Sequence, residues 1–65
     1  MKLQINGEPV DIQIGTLADL LEARGFGEAK VATAVNGQFV PASARADFAI
    51  SDGDRIEVLA PMQGG

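Results

Sequence analysis

The sequence predicts an α+β fold in which a mixed sheet of about five strands packs on one helix. Two Asn-Gly pairs, at residues 6–7 and 36–37, each separate stretches of alternating apolar and polar residues, a pattern typical of β-hairpins. Between these hairpins, leucines recur at helical spacing. Beyond Pro61 the chain continues to Gly64-Gly65. We therefore expect one domain over residues 1–60 and a flexible C-terminal tail over residues 61–65.

The composition limits the functions open to the chain. Cysteine and histidine are both absent, which excludes a disulfide, a thiolate nucleophile and an imidazole base. The net charge of −4 disfavours binding to nucleic-acid phosphate and favours a basic protein partner, although the same surplus also serves solubility. No basic segment leads into an apolar run, so we expect a cytoplasmic protein with no membrane association.

The first hairpin is predicted over residues 1–14. Leu3 and Ile5 share one face of the first strand, and residues 10–14 alternate again as the second strand. Asn6-Gly7 joins them, because both central positions of a two-residue turn require positive φ. This hairpin therefore contributes two adjacent antiparallel strands.

One helix follows the first hairpin. Thr16 is its predicted N-cap, and Asp19 stands three residues later, as in a capping box. Gly25 suits the left-handed conformation that ends many helices. The apolar stripe that faces the sheet is formed by Leu17, Leu20 and Leu21.

The second hairpin pairs residues 31–35 with residues 38–40, and the last strand covers residues 55–59. Residues 42–50 have no clean period and are predicted as an irregular crossover with one helical turn, from which Phe48 and Ile50 enter the core. Asp52-Gly53-Asp54 is interpreted as a turn rather than a metal site, because hard cations require six or more oxygen ligands. The last strand is expected beside the first strand and parallel to it.

Alternation also predicts an exposed apolar patch. If Ile56 and Val58 point into the core, Leu59 points outward. The same argument places Ala32 and Ala34 outward on the third strand. Apolar patches of this kind often bind partner proteins, although single exposed apolar residues are ordinary. We favour a docking patch because it lies next to the tail.

Several features together resemble the ThiS family, the small sulfur carriers of thiamine biosynthesis, over essentially the whole chain. They are Asn6-Gly7-Glu8-Pro9, Thr16-Leu17-Ala18-Asp19-Leu20-Leu21, Val35-Asn36-Gly37, Val40-Pro41, Asp52-Gly53-Asp54-Arg55-Ile56-Glu57 and Gly64-Gly65. The resemblance implies the β-grasp fold of ubiquitin. The chain departs from the family in residues 43–46, which lack a bulky aromatic, and in Gln63, which replaces a small or apolar residue.

The resemblance also implies a chemistry. An ATP-dependent adenylyltransferase of the ubiquitin-activating type would adenylate the carboxylate of Gly65. Sulfur from a cysteine desulfurase would convert it to a thiocarboxylate, which thiazole synthase would consume. ATP and magnesium would belong to the activating partner, and this chain would bind no cofactor or metal. It would act as a carrier rather than an enzyme, with partner contacts through Gly64, Gln63, Met62, Leu59, Ala34 and Ala32.

Other functions remain open at this point. Terminal glycines are often only a frayed end, and the chain would then be a plain β-grasp interaction module. A sulfur carrier for molybdopterin synthesis shares the fold and the diglycine, typically on a longer chain. An enzyme is the least favoured function, because Ser43 and Ser51 have no histidine to activate them.

Overall fold

The structure is a computed structural model that describes residues 1–26 and 30–60. The flexible tail predicted for residues 61–65 lies outside the described residues. In chain order the elements are β1 (Lys2–Ile5), β2 (Glu8–Asp11), α1 (Leu17–Ala23), β3 (Ala32–Val35), β4 (Gln38–Val40), a 3-10 helix (Ala42–Asp47) and β5 (Arg55–Leu59).

The five strands form one mixed sheet in the order β2-β1-β5-β3-β4. The last strand lies between the two hairpins, parallel to β1 and antiparallel to β3. This placement confirms the predicted mixed sheet. β5 is therefore a central strand, paired with β1 at Arg55 and Ile56 and with β3 from Ile56 to Leu59.

Both predicted Asn-Gly turns are present, and each places its two residues at positive φ: Asn6 at 52° and Gly7 at 83°, Asn36 at 53° and Gly37 at 84°. The predicted second strand is shifted. The two-residue turn pairs Ile5 with Glu8, so β2 begins at Glu8. Pairing ends where β1 begins, with Lys2 opposite Asp11. The strand is therefore Glu8–Asp11 rather than residues 10–14.

The helix begins and ends as expected. The backbone N–H of Asp19 donates to the Thr16 hydroxyl over 3.2 Å, which confirms Thr16 as the N-cap. Gly25 has a φ of +86°. The N–H of Gly25 donates to the Glu22 carbonyl, and the N–H of Phe26 donates to the Leu21 carbonyl, which together form a Schellman ending. Arg24 is the C-cap residue.

The crossover is more regular than predicted, because residues 42–47 form a 3-10 helix. Arg45 holds this helix against β3. Its Nε donates to the Thr33 hydroxyl over 3.0 Å, and its Nη2 donates to the Val31 carbonyl. Thr33 is buried and donates in turn to the Val40 carbonyl over 2.7 Å. Arg45 thus anchors residues 42–47 against β3.

One apolar core lies between α1 and the sheet. Its buried members are Leu3, Ile5, Leu17, Leu20, Leu21, Val35, Val40, Ile50, Ile56 and Val58. Phe48 is half-buried against this core, so the predicted contributions of Phe48 and Ile50 are confirmed. Among the described residues, no helix is long and apolar enough to span a membrane.

Candidate functional site

The strand β5 separates core from surface by strict alternation. Ile56 and Val58 are 1% and 6% exposed, whereas Leu59 is 64% exposed. Arg55 and Glu57 are also exposed, so they share the outward face with Leu59. The predicted orientation of this strand is confirmed, and the outward Leu59 lies at the end of β5 that leads toward residues 61–65.

The neighbouring strand completes the predicted surface. Ala32 is paired with Leu59, and Ala34 is paired with Glu57, so these side chains lie side by side on the outer face. Ala32 is exposed and Ala34 half-buried, whereas Thr33 and Val35 between and beyond them are buried. The structure therefore brings Ala32, Ala34 and Leu59 together as predicted.

Phe39 extends this surface and was missed from the sequence. It is paired with Ala34 and is 69% exposed, the larger of the two exposed large hydrophobic side chains in the described part of the chain. We call Ala32, Ala34, Phe39 and Leu59 the outer patch. The available signal was alternation on β4, because a buried Val40 requires its neighbour Phe39 to point outward.

The outer patch has a large apolar side chain on each side of two small alanines, a shape that can accommodate part of a partner protein. Ala32 and Ala34 leave a low strip between Leu59 and Phe39, and Glu57 adds a negative charge beside it. Exposed leucine and phenylalanine side chains in such an arrangement are typical of binding surfaces rather than of catalysis. The outer patch is therefore the candidate docking surface of the described residues.

The Asp52-Gly53-Asp54 segment forms the predicted turn. Gly53 has a φ of +88°, and both carboxylates accept backbone hydrogen bonds: Asp52 from Lys2 over 2.6 Å and Asp54 from Ser51 over 2.8 Å. Across residues 1–26 and 30–60, no three His, Cys, Asp or Glu side chains come together as a metal site. The remaining predicted site residues, Met62, Gln63, Gly64 and Gly65, lie outside the described residues.

Comparison with known proteins identifies the family. The family model named ThiS family matches residues 3–65, nearly the whole chain. The chain belongs to the ThiS family. It is therefore a small sulfur carrier of thiamine biosynthesis rather than a catalyst, and this membership favours the thiamine carrier over the molybdopterin carrier and the plain interaction module.

Two curated relatives support the ThiS assignment. Sulfur carrier protein ThiS from Thermus thermophilus is 38% identical over 61 residues, which cover 94% of this chain and 95% of that protein. Thiazole synthase from Paramagnetospirillum magneticum is 41% identical over 66 residues, which cover all of this chain. The chain spans only 20% of the length of that synthase.

Solved structures of a ThiS protein share the β-grasp fold described above. The crystal structure of the thiamine biosynthesis protein ThiS from Geobacter metallireducens superimposes with a TM-score of 0.86 at 30% identity and covers 100% of both chains. The solution structure of a thiamine biosynthesis protein from the same organism gives a TM-score of 0.79 at 29% identity, covering 100% of this chain and 88% of that chain.

Proposed function

We propose that this ThiS-family chain carries sulfur as a thiocarboxylate on Gly65 and presents it to its partners by docking through the outer patch. The observation that carries the proposal is the position of the patch. Leu59 is the last residue of β5, and only Ala60 separates it from the segment that contains the diglycine. Docking at Leu59 therefore holds the reacting terminus within reach of a partner's active site.

The first chemical step is activation of the carboxylate. A carboxylate is a poor electrophile because oxide is a poor leaving group. An oxygen of the Gly65 carboxylate attacks the α-phosphorus of ATP and displaces pyrophosphate, which gives a mixed anhydride with AMP as its leaving group. ATP and magnesium are bound by the activating adenylyltransferase, and this chain contributes only the acyl group and the docking surface.

The second step introduces sulfur. The terminal sulfur of a persulfide, supplied by a cysteine desulfurase, attacks the Gly65 carbonyl and displaces AMP. A second thiol then cleaves the resulting acyl disulfide, which releases the thiocarboxylate and leaves a disulfide between the two thiols. A chain without cysteine can carry sulfur in this way, because its reactive group is the terminus rather than a side chain.

Thiazole synthase is the proposed acceptor of the sulfur. Support comes from the synthase of Paramagnetospirillum magneticum, in which a segment about a fifth of the protein's length matches this whole chain at 41% identity. A carrier-like segment within a synthase chain has a high effective concentration at the synthase. We propose that this chain pairs with a thiazole synthase in the same way, in the cytoplasm where ATP is plentiful.

Pyrophosphate exchange tests the proposal. The full chain should make ATP–pyrophosphate exchange by the activating enzyme depend on added carrier. The matched control is the chain with Gly65 deleted, which keeps the body and the outer patch but retracts the carboxylate by one residue. Exchange that is equal for both chains would contradict activation at Gly65.

A further inference from the structure

Two asparagine side chains hold β5 from opposite ends. At its start, the N–H of Arg55 donates to Oδ1 of Asn36 over 3.0 Å, and Nδ2 of Asn36 donates to Asp54 over 2.9 Å. Near its end, the N–H of Val58 donates to Oδ1 of Asn6 over 2.8 Å, and Nδ2 of Asn6 donates to the Val58 carbonyl over 3.1 Å. Both asparagines come from the Asn-Gly turns, but only Asn6 acts beside Leu59.

The Asn6 side chain continues the ladder between β1 and β5 after β1 has ended. The N–H of Gln4 donates to the Asp54 carbonyl over 3.0 Å, and the N–H of Asn6 donates to the Ile56 carbonyl over 2.9 Å. The next carbonyl in this series is that of Val58. The chain has by then turned away at Gly7, and Nδ2 of Asn6 donates in place of a strand N–H.

The neighbouring strand β3 is not oriented to bond Val58. The N–H of Asn36 donates to the Arg55 carbonyl, so alternation turns the backbone groups of Arg55, Glu57 and Leu59 toward β3. The N–H and C=O of Val58 consequently point toward the β1 side, where the Asn6 amide lies. A glycine would meet the turn's need for positive φ equally well, so these two bonds go beyond what the turn requires.

We propose that Asn6 is a positioning residue for the carrier reaction, fixing the end of β5 from which the chain runs toward Gly65. The inference rests on the proposed function. Without the Asn6 amide, Val58 loses its partner on one side, although Leu59 keeps its pairing with Ala32 on the other. The end of β5 then samples more directions, and a displacement of about 1 Å at a reacting group can reduce a rate on the order of a hundredfold.

Removal of the Asn6 amide deletes no side chain of the outer patch, and Leu59 keeps its pairing with Ala32, so binding to the partner should persist while the reaction slows. Asn6→Gly and Asn36→Gly are the matched variants, since glycine accepts the φ of either turn and each variant loses two side-chain hydrogen bonds of one asparagine. Adenylation of the full chain by the activating enzyme is measured by pyrophosphate exchange. We expect Asn6→Gly to lower kcat about tenfold with KM within about twofold, and Asn36→Gly to keep both within about twofold.

Amide hydrogen exchange supplies a direct structural readout. The Val58 N–H should exchange about fivefold faster in Asn6→Gly, corresponding to loss of one hydrogen bond, and at the wild-type rate in Asn36→Gly. Asn6→Asp is the conservative variant, because a carboxylate oxygen still accepts from Val58 but cannot donate to its carbonyl. It should restore Val58 protection and recover part of kcat, and it carries the same test if Asn6→Gly does not fold.

Several outcomes overturn the inference. One is an equal kcat for the two glycine variants, and another is a raised KM with unchanged kcat, which would make Asn6 a docking residue. Faster Val58 exchange with unchanged kinetics would reduce Asn6 to a stabilising residue. Failure of the wild-type chain to support any pyrophosphate exchange would instead overturn the proposed function, and the positioning role would fall with it.

Discussion

The strands β3 and β5 present buried residues on one face and exposed residues on the other. The inner face buries Thr33, Val35, Ile56 and Val58 beneath the helix, and the outer face exposes Ala32 and Leu59. Adjacent residues such as Val58 and Leu59 therefore differ in their contribution. Inner residues form the core on which folding depends, and the proposed role of the outer residues is to bind partner proteins.

A small domain can use alternate residues of one strand for two purposes, the inward residues for stability and the outward residues for recognition. A chain of 65 residues buries only about 60% of its unfolded surface, so the strands that supply its core also supply much of its exposed surface. The outer patch leaves two large side chains, Leu59 and Phe39, in solvent in the free protein. The proposed docking to a partner would cover both side chains.

The largest effect is expected on the inner face. Ile56→Ala should lower the free energy of unfolding by about 2–5 kcal/mol, because it removes a fully buried side chain and leaves a cavity. Denaturant unfolding measures it, with Ile56→Val as a graded variant that should lose about 1 kcal/mol. Leu59→Ala is the control from the outer face and should stay within about 0.5 kcal/mol of the wild type. Equal losses of unfolding free energy in Ile56→Ala and Leu59→Ala would contradict the difference between the two faces.

The second-largest effect is expected at Gly64, outside the sheet. Gly64→Ala lies outside the domain predicted over residues 1–60, so it should leave the free energy of unfolding unchanged. It should slow adenylation on the order of a hundredfold. The added methyl group would displace the reacting carboxylate in a narrow channel. Pyrophosphate exchange at saturating carrier measures the rate. Near-normal activity would mean that the glycines do not serve to fit a channel.

A smaller effect is expected for the outer patch itself. Leu59→Asp should weaken binding to the activating enzyme about tenfold, because it places a charge where an apolar side chain is buried on docking. Calorimetric titration gives the affinity, and thermal unfolding of the same variant should show a loss of no more than about 1 kcal/mol. A cooperative transition at a much lower temperature would identify Leu59 as a core residue.

The smallest effect tests how far the patch extends. Phe39→Ala should weaken the same binding by about threefold, less than Leu59→Asp, because Phe39 lies on the edge strand β4, two strands away from β5. Gln38→Ala, a change of a neighbouring exposed residue, is the control and should have no measurable effect. An unchanged affinity for Phe39→Ala would confine the docking surface to β3 and β5.

Local patterns predicted most of the fold. Turn chemistry located both hairpins, the cap residues Thr16 and Gly25 located the helix, and alternation assigned Leu59 to the surface. The predicted start of β2 at residue 10 was wrong, because the register of a two-residue turn pairs Glu8 directly with Ile5. A period-2 pattern alone does not say where pairing stops.

The features that sequence reasoning missed depend on contacts between distant residues. Arg45 reaches Thr33 and Val31 across the crossover, and nothing in its own segment indicates those partners. The Asn6 amide meets Val58, 52 residues away, only because β5 inserts beside β1. Phe39 was the exception, since the inward Val40 gave a local signal for it.

Intact mass spectrometry tests the central claim most directly. The chain is incubated with the activating enzyme, ATP, magnesium and a cysteine desulfurase with cysteine, and the chain lacking Gly65 is treated in parallel. We predict a mass increase equal to the replacement of one oxygen by one sulfur, assigned to Gly65 by fragmentation and absent from the shortened chain. An unchanged mass under conditions that load a known ThiS protein would contradict the account.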